Sequence, residues 1–235
     1  MEFLLDTANL TAISNALDLY PINGVTTNPT ILANEAPDDV WAHLKAIQQL
    51  IGLHRSLHVQ VLSKTAEGMI EEAMVLRQHL GQMVYVKIPA TKQGIKAMKH
   101  LHAQGVCLTA TAIYSKLQAA LAIQAGVDYV APYVNRMENL DVDAMEVIRS
   151  INATITNSHT STKIVAASFK NLAQINRAIE AGAYAVTVDP SLLDLVFASP
   201  SLAKAVEDFK TDFEAVYGKG TTLLTLNPKA QKNLE

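Results

Sequence analysis

Short runs of β-branched and apolar residues alternate along this chain with longer segments whose apolar residues recur every three or four positions. The short runs predict strands over 3–5, 24–27, 57–62, 84–88, 107–110, 129–133, 163–167 and 185–188. The segments between them read as helices. In 66–80, Ile70, Ala73, Met74, Val75 and Leu76 make a broad apolar stripe, and 94–104 does the same with Ile95, Met98 and Leu101. That second helix stops at Gly105, a third over 117–124 stops at Gly126, and a fourth over 172–180 stops at Gly182. Glycine just past a helix end is the expected punctuation. A phrase beginning Ala-Gly precedes a strand at 125–129 and again at 181–185, marking a helix-to-strand joint.

Eight strand–helix units of roughly 20–35 residues predict an α/β fold, a (β/α)8 TIM barrel. An open doubly wound sheet is the alternative, but it calls for a glycine-rich turn after strand 1. Here strand 1 runs into Asp6-Thr7-Ala8-Asn9. After Pro200 a further helix is predicted over 201–217, with Leu202, Val206, Phe209, Phe213 and Val216 in alternating steps of four and three. That spacing makes a narrow apolar seam, suited either to the helix's own barrel or to a neighbouring subunit. Residues 1–217 therefore read as one barrel domain with an additional C-terminal helix. Residues 218–235 read as a polar tail that Leu223, Leu224 and Leu226 could anchor in part.

The 235 residues are 49% hydrophobic and 17% charged, which suffices for one large core. A net charge of -3 without a basic stripe argues against nucleic acid as a partner. No stretch reaches the ~20 apolar residues of a membrane span. Glu2 and Asp6 do not suit a basic-then-apolar signal sequence. Cys107, the single cysteine, sits in an apolar run as a small core filler and has no internal disulfide partner. A soluble cytoplasmic protein is the expectation.

Lys87 interrupts the apolar run Val84-Tyr85-Val86-Lys87-Ile88-Pro89. A buried lysine loses charge or gains partners, and a neutral amine condenses with carbonyl substrates. The plain alternative is a strand-end lysine whose head reaches water. Barrel active sites lie at the C-terminal strand ends, however, and polar residues stand at that level in nearly every predicted strand: Asp6, Asn28, Gln60, Lys87, Thr111, Tyr133 and Ser168. An enamine aldolase needs an amine, an acid to expel water, and a base beside the iminium. Tyr133 offers a phenol, Asp6 a carboxyl, Gln60 with Thr111 a hold on a shuttling water, and Asn28 an amide for substrate hydroxyls. Arg136 and Ser168 suit an anion, against plainer roles as an ion pair with Glu138 or Asp141 and as a cap on the helix near Asn171. Metal-dependent aldol chemistry would need converging ligands, and the histidines at 43, 54, 79, 100, 102 and 159 are scattered; His58 reads as packing a layer below Gln60. No metal or other cofactor is expected. A serine hydrolase is unsupported without a Gly-x-Ser-x-Gly elbow.

Asp6-Thr7-Ala8-Asn9, Gly24-Val25-Thr26-Thr27-Asn28-Pro29-Thr30, Val86-Lys87-Ile88-Pro89, Thr109-Ala110-Thr111-Ala112-Ile113-Tyr114, Ala131-Pro132-Tyr133-Val134-Asn135-Arg136 and Ala166-Ala167-Ser168-Phe169-Lys170 together resemble the small transaldolase family, and within it the fructose-6-phosphate aldolase branch. The likeness runs from Met1 to about Tyr217. It implies a class I aldolase with Lys87 as the Schiff-base residue and Tyr133 as acid/base. It further implies Asp6, Gln60 and Thr111 as relay partners, and Arg136 with Ser168 at the phosphate. Dihydroxyacetone and glyceraldehyde 3-phosphate would be the products of fructose 6-phosphate cleavage. The resemblance also implies a homo-oligomer, a pentamer or decamer, with the C-terminal helix laid on a neighbour. Transaldolases proper carry Glu where Gln60 stands and Phe where Tyr133 stands, so both positions read as aldolase. Transaldolase, transferring the dihydroxyacetone unit between sugar phosphates, is the first alternative; a non-catalytic sugar-phosphate-binding barrel is the second. The stretches 139–143 and 152–161 depart from the family pattern and bear on the acceptor side.

Overall fold

The computed structural model describes residues 1–227. Strand and helix alternate in the order β1 (Glu2–Asp6), α1 (Leu10–Leu19), β2 (Gly24–Thr26), α2 (Pro29–Glu35), α3 (Val40–Ile51), β3 (Ser56–Gln60), α4 (Ala66–Leu80), β4 (Tyr85–Pro89) and α5 (Lys92–His102). They continue as β5 (Leu108–Ile113), α6 (Lys116–Gln124), β6 (Tyr129–Pro132), α7 (Val134–Glu138), α8 (Ala144–Ser158), β7 (Lys163–Ala166), α9 (Leu172–Glu180), β8 (Ala185–Val188), α10 (Pro190–Phe197) and α11 (Pro200–Tyr217). The chain divides into two compact units, Met1–Leu193 and the segment from Asp194 onward. In the first unit each strand pairs in parallel with the next, and β8 pairs with β1, so the sheet closes into the eight-stranded barrel. That closure removes the open doubly wound alternative.

Local chemistry starts the helices. Asn9, Asn28, Thr65, Thr91, Ser115, Asp143 and Asn171 each accept a hydrogen bond from a first-turn amide that has no partner inside its helix. Gly126 and Gly182 take the left-handed φ values, 87° and 102°, that close α6 and α9 before the next strand. Outward strand residues such as Val25, Val86, Ile88, Val130 and Val186 are buried with helix residues in one continuous core. Inside the barrel a smaller group, Leu4, Tyr129, Ala131, Val165 and Ala185, fills the middle, with Tyr85 packed against it. His58 lies in this interior, fully buried and stacked on Tyr85 at 4.6 Å, as the strand alternation requires. Both its ring nitrogens are engaged, Nδ1 with Thr109 Oγ1 at 2.9 Å and Nε2 with Ser56 Oγ at 3.0 Å. Burial, aided by the nearby Lys87 charge, drops its pKa to about 3.

Several boundaries differ from the sequence expectation for physical reasons. α5 begins at Lys92, two residues before Gly94, because Thr91 Oγ1 caps it at Gly94 N. β3 ends at Gln60 rather than 62, where Glu72 takes the Leu62 and Ser63 amides instead of a neighbouring strand. β5 starts one residue late, leaving Cys107 half-buried before the strand rather than in the core, and runs on to Ile113. β6 ends at Pro132, and Tyr133 opens the short helix α7 while bridging to Ala167.

In the second unit, α11 fills the expected 201–217 span, starting one residue earlier at Pro200, and none of its residues is buried. Leu202, Val206, Phe209 and Val216 all stand exposed. Residues 223–226 form a turn beyond it, and the remainder of the predicted tail lies outside the described residues. Among the described residues no helix is long and apolar enough to cross a membrane.

Candidate active site

The C-terminal strand ends open into a cavity of about 430 Å³, lined among others by Asp6, Asn28, Lys87, Tyr133, Arg136 and Ser168. A volume of this order suits a small polar ligand. Lys87 is 5% exposed, so its amine is reached only through the cavity. Its Nζ donates to the Thr27 carbonyl at 2.7 Å. Burial lowers its pKa below the ordinary lysine value, against the opposing pull of Asp6. The same burial raises the Asp6 carboxyl, which Lys87 and a Thr26 hydroxyl at 2.7 Å partly offset. Each group is thus drawn toward its neutral form. The amine of Lys87 and the carboxyl of Asp6 share one recess.

Tyr133 is half-buried at the end of β6, and burial raises its phenol pKa. Its OH lies 2.8 Å from Thr111 Oγ1. Thr111 faces inward two residues after Thr109, which touches His58 in the barrel interior, as strand alternation requires. Just beyond it the register of β5 shifts between Ala110 and Ile113, and Ala112 takes a φ of 55°. Asn28 spends its Oδ1 capping α2 at Ile31 N, 3.0 Å away, which fixes the amide at the cavity wall.

The anion candidates take neither of their plainer roles. Arg136 does not pair with Glu138, which binds Arg177 instead at 2.8 Å. Its guanidinium lies 4.8 Å over the Tyr133 ring and donates to Tyr114 OH at 3.4 Å. Ser168 is not the cap of α9, since Asn171 holds that position. It has instead a left-handed φ of 65°, a conformation costly for a side-chain-bearing residue and typical of ligand-contacting loops.

Neither Gln60 nor Thr111 lines this cavity, although buried Thr111 touches it through the Tyr133 phenol. Gln60 is in register with Lys87 on the neighbouring strand, yet it lines two clefts beside β3 together with Val61, Leu62 and Ser63. Conversely, sequence reasoning missed Thr26, Thr187, Asn135, Asn139, Lys170 and Asp189. Thr26 Oγ1 sits 2.7 Å from both Asp6 Oδ1 and Thr187 Oγ1. Strand alternation held a signal for Thr187, a polar residue in an otherwise apolar run that faces inward with Ala185. Thr26 ends strand β2, and Asn135, Asn139, Lys170 and Asp189 lie on turns and a short helix whose side chains converge only in three dimensions. Asn139 brings the start of the 139–143 stretch to the wall of the cavity. Among the described residues no group of three or more His, Cys, Asp or Glu side chains converges as a metal site would need.

A parallel eight-stranded barrel with a buried amine, a carboxyl and a phenol at its mouth defines an enzyme of the aldolase class. Residues 3–227 match the model of the Transaldolase/Fructose-6-phosphate aldolase family, and the chain belongs to that family. It is 46% identical over 213 residues to a probable fructose-6-phosphate aldolase of Streptococcus pneumoniae, covering 91% of this chain and 96% of the relative.

Proposed function

We propose that this enzyme is a class I aldolase that reversibly cleaves fructose 6-phosphate to dihydroxyacetone and glyceraldehyde 3-phosphate through an imine on Lys87. The carrying observation is the amine of Lys87, biased toward neutrality at the floor of a cavity that also holds Asp6 and Tyr133. Nζ attacks the ketose carbonyl, Asp6 in its protonated form supplies the proton with which water leaves, and an iminium forms. Tyr133 then takes the proton of the hydroxyl on the fourth carbon, passing its own phenol proton through Thr111 and the shuttling water to the Asp6 carboxylate that the dehydration left, as the bond between carbons three and four breaks. The electron pair of that bond passes into the iminium, giving an enamine and free glyceraldehyde 3-phosphate. Protonation of the enamine by Tyr133 and addition of water release dihydroxyacetone and restore Lys87. Thr111 holds the phenol during both transfers, and Asn28 binds substrate hydroxyls. Arg136 and Ser168 receive the phosphate, where Lys170 adds a second positive charge to the same cavity. Gln60 serves the shuttling water from the edge of this set.

Transaldolase differs only in what meets the enamine. Fructose 6-phosphate supplied alone should yield three-carbon products; if they form only after erythrose 4-phosphate is added, transfer rather than cleavage is the activity. Borohydride with dihydroxyacetone should fix an adduct on Lys87, and its absence would reduce the barrel to a sugar-phosphate binder.

The enzyme further works as a homo-oligomer, a pentamer or decamer, in the cytoplasm. The exposed apolar seam of α11 supports assembly, because a face with Val206 60% and Phe209 72% exposed gains most by burial against another copy. On this reading residues 1–217 function as one barrel with its helix, and α11 packs on a neighbour.

A further inference from the structure

We propose that Gln174 is a positioning residue for the anion-binding half of the cavity, tying α7, which carries Arg136, to the 168–170 loop. The inference rests on the aldolase reading above, in which the substrate phosphate meets Arg136 and Ser168. Gln174 is 4% exposed and stands in the first turn of α9. Its Oε1 accepts from Lys170 N at 2.7 Å. Its Nε2 donates to Asn135 Oδ1 at 3.1 Å and to Glu138 Oε2 at 2.6 Å. One buried amide therefore spans three chain segments, with its acceptor facing the loop and its donors facing α7.

Capping alone does not account for this residue. The α9 cap is already served by Asn171 Oδ1, which accepts from Gln174 N at 2.9 Å, and a carboxylate at position 174 would accept from Lys170 N equally well. Only an amide supplies the two donors that reach α7. Those donors matter because α7 is five residues long, too short to hold its own geometry. Its remaining ties to the loop are Val134 N to Ala167 O at 2.9 Å and Asn135 N to Ser168 O at 2.8 Å. They fix the near end of α7, and Glu138 ties its far end to α9 beside the buried Met137. That carboxylate is held from both sides, by Gln174 and by Arg177 NH2 at 2.8 Å. Arg136 sits between these anchors, and Ser168 keeps its left-handed φ of 65° between Ala167 and the Lys170 amide that Gln174 grips. The geometry of the phosphate groups follows from a side chain that does not line the cavity.

The test compares glyceraldehyde 3-phosphate with glyceraldehyde as acceptors for dihydroxyacetone. Wild-type enzyme should favour the phosphorylated acceptor; if it does not, the phosphate reading itself fails, before any variant is made. Gln174→Glu keeps the loop acceptor, loses both donors and faces Glu138 with like charge. It should raise KM for glyceraldehyde 3-phosphate about tenfold, equivalent to ~1.4 kcal/mol. Its kcat/KM for glyceraldehyde should stay within about twofold of wild type. Combining Gln174→Glu with Glu138→Gln reverses the donor and acceptor and should recover most of the loss. Equal losses for both acceptors would leave only a folding role and overturn the proposal. If Gln174→Glu yields no soluble protein, Glu138→Ala decides: a KM rise confined to the phosphorylated acceptor supports the tie, and no change or a uniform one rejects it.

Discussion

At the scale of the residue, the chemistry turns on what burial does to Lys87 and Asp6. Lysine burial costs free energy whenever the amine is charged, and the lowered pKa measures that cost. Below the folded-state pKa both folded and unfolded chains hold the proton, so the penalty is present in full. Between that pKa and the ordinary lysine value the unfolded chain binds more protons, so stability rises with pH across that window. Lys87→Met should therefore abolish turnover while raising Tm at neutral pH, and the Tm advantage should shrink as pH approaches the ordinary lysine value. A normal reaction rate in that variant would rule out the imine. Tyr133→Phe removes the phenol and frees Thr111 Oγ1 from its 2.8 Å contact. With no donor to protonate the enamine, product analysis should show release of dihydroxyacetone falling and transfer to erythrose 4-phosphate rising.

At the scale of the element, the sequence periodicities identify the strands and longer helices, while close packing decides their ends and aims. Gly94 reads from the sequence as a helix start, yet it lies inside the first turn of α5, where a Cβ would overlap the Pro89 carbonyl oxygen. Helix α5 can approach the end of β4, and so the Lys87 strand, only through that missing side chain. Gly94→Ala should destabilise the protein by about 1–3 kcal/mol, the usual cost of overpacking, seen as a lower urea midpoint. It should also lower kcat, since the displaced strand carries Lys87, the proposed nucleophile. The irregularity in β5 is not announced by any periodicity: Ala112 is an ordinary residue in an apolar run, yet it takes a φ of 55° where the strand's register shifts.

At the scale of the whole molecule, closure of β8 onto β1 brings Asp6, from the start of the chain, beside Thr187 near the end of the barrel through Thr26. Parallel strands joined by helices leave all eight C-terminal ends on one side, which is why residues so distant in sequence line one cavity. The unburied apolar seam of α11 belongs to this scale as well. If α11 packs on a neighbour as proposed, Phe209→Glu should shift the protein toward monomer in sedimentation velocity, because a carboxylate would then stand in the apolar seam. Sedimentation unchanged by that substitution would place the subunit contact elsewhere.

The alternation of strand-like and helical patterns determined the (β/α)8 order by itself, since local periodicity reports which face of each element is buried. The run around Lys87 likewise disclosed the amine, because a charge within an apolar strand is unusual on any fold. Which polar side chains join that amine was decided only by the tertiary structure. Thr187 and Asn135 enter the cavity, and Gln60 lines the clefts beside it. The hold of Gln174 on Asn135 and Glu138 joins residues 39 and 36 apart in the chain. No single stretch of sequence contains both halves of such a contact.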